Sequence, residues 1–269
     1  MTDEPEAFYL PVGDGEFEST PATASPWDEE MQHGGPPTGL LARAVELTRP
    51  DPGMPIARLT ADFHGAIPQG RVRTEARIVR PGRRIEMVEA ALSVNGKVAV
   101  TATAWRIKSD REATAGQAST ATPPPLPDAQ PPVVIPGVSP SWGYGRALEW
   151  RFVEGSYAEP GPVSLWARVR LPLVAGEKTV GEGPSTVQHL AVLADSTNGV
   201  SAELPFTEWF FIPPTVTLTI ARPPEGEWLH LAGRTTITPH GTGVAQGEIS
   251  DERGLVALVG QPLLVAPRG

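Results

Sequence analysis

Two spacings of apolar residues alternate along this chain, and their order is repeated. Phe8 to Leu10 and Glu16 to Ser19 flank Gly13-Asp14-Gly15 as two short strands. From Thr38 to Leu47 the spacing turns helical: Leu40, Leu41, Ala44, Val45 and Leu47 make a wide apolar face that must be buried. His33-Gly34-Gly35-Pro36-Pro37 leads into this helix, where proline is tolerated because a first-turn N–H has no partner anyway. Arg49-Pro50 ends it. Alternation then returns in four segments, Ile56 to His64, Val72 to Val79, Arg84 to Val94 and Val98 to Ile107. The last two join through Asn95-Gly96, a strong hairpin signal.

The second half repeats this order. Ala147 to Val153 and Val163 to Leu171 read as strands, and a helical stretch begins at Ser185. Four alternating segments follow, Thr215 to Ala221, Trp228 to Ile237, Gly243 to Ser250 and Leu255 to Val265. Asp251-Glu252-Arg253-Gly254 takes the place of Asn95-Gly96, and aligning the two glycines sets Thr103 against Gln261. The pattern predicts a duplicated α+β unit, one helix wrapped by an antiparallel sheet. Ser109 to Pro140 breaks the repeat. It is rich in Ala, Thr and Ser and then in proline, so it predicts an extended connector.

The helix at Ser185 carries an anomaly. Ser185 and Gln188 suit a capping box, Val187, Leu190, Ala191 and Ala194 share one face, and Asn198-Gly199 suits a left-handed cap. Asp195 stands in the last turn, where the macrodipole disfavours a carboxylate by a few tenths of a kcal/mol to about 1. A solvated turn residue and a functional carboxylate both fit these residues.

Composition removes several kinds of chemistry. The chain has 269 residues, 40% of them hydrophobic, which is enough for a packed core. A net charge of −9 disfavours nonspecific binding to nucleic acid or acidic membranes. With no cysteine, disulfides, thiolate catalysis and Cys-ligated metals are excluded. No metal-ligand spacing and no phosphate-binding glycine loop is present, so no cofactor is expected. Ser164, Ser196 and Ser201 lack a G-x-S-x-G elbow. The first thirty residues show no leader-like pattern, and no apolar run reaches membrane-spanning length; a cytoplasmic location is expected.

In order and spacing, these stretches resemble the double hotdog acyl-CoA thioesterases of type II. The residues that carry the likeness are His33 to Pro37, Arg80-Pro81-Gly82-Arg83-Arg84 and Thr101 to Arg106 in the first half. In the second half they are Leu193 to Gly199, Thr235 to Gly243 and Gly260 to Val265. The resemblance implies two hotdog units, 1–108 and 142–269, with 109–141 as the linker, their sheets joined edge to edge. It also implies a homodimer or larger homo-oligomer, and hydrolysis of acyl-CoA or carrier-bound acyl thioesters without a covalent intermediate.

In that family an aspartate, a glutamine and a threonine hold the attacking water. The aspartate falls on Asp195 and the glutamine on Gln261. The threonine position falls on Pro213, so Thr215 and Thr217 nearby are the candidates. Asp195 would act as base and Gln261 would orient the water. His33, Gly34, Gly35 and Asn198 are candidate substrate contacts, the glycines through backbone N–H groups at a helix start. Arg80, Arg83 and Arg84 could meet phosphates of coenzyme A or simply form a solvated turn. Two rivals stand beside the hydrolase: a hotdog dehydratase or hydratase pairing His33 with Asp195, and a noncatalytic acyl-binding module.

Overall fold

The structure, a computed structural model, describes residues 5–51, 53–110, 112, 121–132, 134–176 and 186–268. The first half contains β1 (Tyr9–Gly13), β2 (Glu16–Ser19), β3 (Met31–Gln32), α1 (Gly35–Thr48), β4 (Ile56–Phe63), β5 (Ile67–Pro68), β6 (Arg71–Arg80), β7 (Ile85–Val94) and β8 (Lys97–Ile107). After the connector come α2 (Gly143–Ala147), β9 (Leu148–Ser156), β10 (Glu159–Val169), α3 (Val187–Ala194), α4 (Thr197–Val200) and β11 (Trp209–Ile212). The chain closes with β12 (Thr215–Ile220), β13 (Leu229–Ile237), β14 (Thr242–Asp251) and β15 (Gly254–Pro267).

One large antiparallel sheet runs β1-β2-β6-β7-β8-β4-β12-β15-β14-β13-β10-β9, with β11 also paired to β15. Its two halves have the same strand order, read outward from the junction of β4 with β12. There Thr60 lies opposite Thr217 and their hydroxyls are 3.1 Å apart. Both long helices lie against the same face and contact each other, which is the double hotdog arrangement. Val216, Leu218 and Ile220 alternate inward with Thr215, Thr217 and Thr219 outward, so the inner face is the apolar one. Leu40, Leu41, Val45, Leu190 and Val192 are buried between helices and sheet. Each contributes about 1.5–3 kcal/mol by its removal from water.

The helices meet at glycine. A Cβ on Gly35 would stand 2.4 Å from the carbonyl oxygen of Val192, and one on Gly39 would stand 2.9 Å from Val192 Cγ2. The start of α1 is thereby set against the end of α3, where Asp195 lies.

Several expectations are corrected. Thr103 is not the counterpart of Gln261. Asp251 pairs with Gly254 as Val94 pairs with Lys97, so the second turn is Glu252-Arg253 and Gly254 already belongs to the strand. The alignment shifts by one residue, which exchanges the faces of the sheet, and Ala104 takes the place of Gln261. The cap of α3 is Thr186, whose hydroxyl accepts from His189 N–H; Ser185 lies outside the described residues. Asn198 and Gly199 are helical within α4 and form no left-handed cap. The described connector residues carry no helix or strand before α2. The connector is nevertheless anchored, through Pro124 O to Trp166 Nε1 and through Gln130 to the backbone of Phe152, and it places Ile135 in the core.

Candidate active site

Asp195 follows the last residue of α3 and is 5% exposed. The helix-dipole anomaly is resolved by the neighbouring half. The N–H groups of Gly34 and Gly35 both act on its carboxylate, the Gly35 N–H being shared with His33 Nδ1 at 3.2 Å, so Asp195 sits at the positive end of α1. Burial dominates its titration and pushes its pKa up to about 7, against the opposing bonds from Gly35, Gln261 and Gly34.

Gln261, on β15, fixes this carboxylate. Its Nε2 lies 3.2 Å from Asp195 Oδ1 and 3.3 Å from the Asp195 carbonyl, and its Oε1 accepts the Asn198 N–H at 3.1 Å. Gln261 thus bonds Asp195 directly. Asn198 is held in turn, with Nδ2 donating to Phe211 O at 2.9 Å.

His33 Nδ1 is 3.0 Å from Asp195 Oδ2. Burial lowers the imidazole pKa to about 3, so the ring is neutral near pH 7. Two bare acceptors cannot face each other at that distance. Nδ1 already accepts the Gly35 N–H at 3.2 Å, so the hydrogen between the two side chains belongs to the carboxyl, with Oδ2 donating to Nδ1, as the raised pKa of Asp195 allows. The ring stacks flat on Tyr144, with centroids 3.8 Å apart and planes 9° apart.

Tyr144 fixes another proton. Its hydroxyl donates to Val192 O at 2.8 Å and lies 2.7 Å from Ser196 Oγ. A phenol has one hydrogen and Val192 O can only accept, so Ser196 must donate to Tyr144. Ser196 thus turns only lone pairs toward the cavity that it lines together with Asp195.

That cavity has a volume of roughly 430 Å³, and its apolar wall includes Trp27, Phe63, Trp142, Tyr157, Phe206 and Phe211. His33, Gly34, Asp195 and Asn198 also line it, while Gln261 lies behind Asp195. Thr215 and Thr217 are not brought to the site. They point to the opposite face of the sheet, where Thr215 donates to Ala61 O at 2.8 Å and Thr217 meets Thr60. Pro213 and Pro214 occupy the wall instead. Arg80, Arg83 and Arg84 form the turn into β7 beside Lys108, at the end of the sheet away from Phe63. Sequence reasoning missed Tyr144 and the role of Ser196. The only local signal was their small, glycine-rich or polar surroundings, and neither matches a catalytic motif.

The chain matches the family model described as acyl-CoA thioesterase N-terminal domain over residues 23–107 and that of the acyl-CoA thioesterase C-terminal domain over residues 118–265. It belongs to the acyl-CoA thioesterase family, a family of thioester hydrolases. Among solved structures, it is similar to a protein with a hot dog fold from Alicyclobacillus acidocaldarius, at 20% identity and a TM-score of 0.70, covering 98% of this chain and 97% of that one. The tesB protein of Mycobacterium avium subs paratuberculosis matches at 15% identity and a TM-score of 0.67, with 96% of each chain covered. The acyl-CoA thioesterase II of Mycobacterium marinum matches at 16% identity and a TM-score of 0.61, covering 95% of this chain and 93% of that one. These likenesses show the shared fold. A search of curated proteins gave no match.

Proposed function

We propose that this protein hydrolyses acyl thioesters with Asp195 as general base, the acyl group lying in the aromatic cavity. One observation carries the reading: a buried carboxylate, raised in pKa toward neutrality, opens onto an apolar cavity beside the positive end of a helix. Asp195 takes one proton from water, and Ser196 Oγ accepts the water's second O–H. Two acceptors leave a lone pair of the water free to attack the carbonyl carbon. The positive end of α1 stabilises the oxyanion that develops. Collapse breaks the C–S bond, and the proton on Asp195 passes to the sulfur, giving acid and free thiol. Gln261 acts by holding Asp195, and His33 by bonding Oδ2.

Two hotdog units, 1–108 and 142–269, joined by 109–141, form the proposed domain plan. A homodimer or larger homo-oligomer is supported by exposed Val244, Leu258 and Leu264 on the outward face of the second half. A cytoplasmic setting is consistent with the lack of cysteine. Contact between His33 and Asp195 also supports the dehydratase or hydratase reading. A panel of acyl-CoAs, followed by free-thiol detection and by enoyl absorbance, separates them. Thiol release without enoyl product is expected. Enoyl product without thiol means hydratase chemistry, and binding with neither product means an acyl-binding module.

A further inference from the structure

Attack on a thioester places negative charge on its carbonyl oxygen, and a hydrogen-bond donor aimed at that oxygen lowers the barrier. The start of α1 has no free donor to supply. The Gly34 and Gly35 N–H groups act on Asp195, and that of Gly35 also on His33 Nδ1. Pro36 and Pro37 have no N–H, and Thr38 N–H donates to Gly34 O at 3.1 Å. The helix therefore contributes its field and no N–H that can touch the oxygen. Several side-chain donors around the cavity are committed as well. Gln32 Nε2 donates to Pro68 O, Trp142 Nε1 to Ala24 O, Asn198 Nδ2 to Phe211 O, and Ser196 to Tyr144. Among the described residues, the lining side-chain donors that reach no acceptor are those of Ser25, Trp27 and Tyr157, and Nε2 of His33.

Of these four, His33 is the one in polar contact with Asp195, with Nδ1 3.0 Å from Oδ2. Nδ1 accepts from the Gly35 N–H and from the carboxyl, so the single hydrogen of the neutral ring lies on Nε2. Nε2 has no partner in the protein and is not among the sealed polar atoms, so it opens onto the cavity that His33 lines. Flat stacking on Tyr144, itself tied to Val192 O, fixes the plane in which that N–H points. We infer that His33 Nε2–H is the catalytic donor that holds the thioester carbonyl oxygen while water attacks. The inference rests on the thioesterase reading of the cavity. Nε2 donates a hydrogen bond and transfers no proton, so the balance of the hydrolysis is unchanged. When Asp195 takes the proton of water, Oδ2–H donates to Nδ1 and draws electron density from the ring. That strengthens Nε2–H as a donor in the same step in which the oxyanion forms. Burial holds the imidazole pKa at about 3, below that of Asp195 at about 7, so the donor stays neutral wherever Asp195 can act as base.

His33→Asn separates this role from that of holding Asp195. An asparagine oxygen hangs on Cγ as Nδ1 does, so it can keep the Nδ1 contacts while nothing reaches the place of Nε2. Removal of one oxyanion donor is expected to lower kcat for acyl-CoA hydrolysis about a hundredfold, with little change in KM. The kinetic transition of Asp195, near pH 7 in the wild type, should stay where it is. A wild-type kcat in His33→Asn would overturn the inference. So would a fall in kcat with a displaced transition, the mark of a positioning role alone. A larger loss in Tyr157→Phe than in His33→Asn would assign the donor to the phenol instead. Two further measurements need no turnover. Nitrogen-15 NMR of the wild type, labelled at histidine, should show the His33 hydrogen on Nε2; hydrogen on Nδ1 rules the donor out. Infrared spectra of acyl-CoA labelled with carbon-13 at the carbonyl, bound to Asp195→Asn, should show the C=O stretch lowered from its value in solution. Adding His33→Asn should return it toward that value. A stretch that ignores His33 sinks the donor even if hydrolysis stands. A stretch that depends on His33, in a protein that releases no thiol from any acyl-CoA, would sink the parent reading and keep the donor.

Discussion

Asp195→Asn tests the electrostatics of the site through folding stability. In the folded chain the carboxyl pKa is about 7, against 3.8 for the free side chain, a difference of about 3 units. At 1.36 kcal/mol per unit this amounts to about 4 kcal/mol, of which burial is the cause. A carboxyl with a raised folded pKa holds its proton in the folded state after the unfolded state has lost it. The Asp195 contribution to stability therefore falls as pH rises from about 4 to about 7, and is level outside that window. Asparagine cannot ionise, so its variant lacks this slope. Asn Nδ2 in place of Oδ2 would face the Gly34 and Gly35 N–H groups, an offset of about 1–3 kcal/mol that is independent of pH. The difference in unfolding free energy between wild type and variant should thus move by about 4 kcal/mol across the window, in favour of asparagine at high pH. Urea unfolding at pH 4, 5, 6, 7 and 8 measures it. A constant difference at all five pH values would show that Asp195 is not a buried carboxyl of raised pKa, and the argument for it as base would fall.

Ser196→Ala should lower kcat about tenfold to a hundredfold with little change in KM, because it removes the second acceptor of the attacking water. Tyr144→Phe frees the Ser196 proton, and the two losses should be non-additive in steady-state kinetics, since both act on one hydroxyl. Gly35→Ala forces a Cβ against Val192 O at 2.4 Å, which should cost about 1–3 kcal/mol of stability and lower the melting temperature. The same substitution moves the start of α1 from Asp195, so activity should fall with it; an unchanged melting temperature would contradict the close approach of the helices.

The meander was legible because each strand has one wet face, so alternation survives in the sequence. The Thr38 to Leu47 pattern revealed α1 for the opposite reason, since its apolar face is too wide for a surface helix. Short elements such as β11, α2 and α4 escaped because four or five residues give no period to read. The register of β15 was misread by one residue because glycine served as the marker of the turn, while Gly254 is the first residue of the strand. For the site, Asp195 stood out as a carboxylate against its own helix dipole. What explains it, the start of α1, lies 160 residues earlier in the chain and is brought there only by tertiary packing. Thr215 and Thr217 were misplaced for a similar reason: a strand has two faces, and proximity in sequence does not say which one meets the cavity.

The central claim, that water activated at Asp195 attacks the thioester directly, is tested by a single turnover in water enriched in oxygen-18. Excess enzyme is mixed with one acyl-CoA, thiol release is followed, and the product acid is weighed by mass spectrometry. Direct attack predicts that the first acid released carries one heavy oxygen and that the Asp195 carboxylate stays unlabelled. Acid without label in the first turnover would mean that Asp195 itself attacked, and no thiol release across the acyl-CoA panel would contradict hydrolysis altogether.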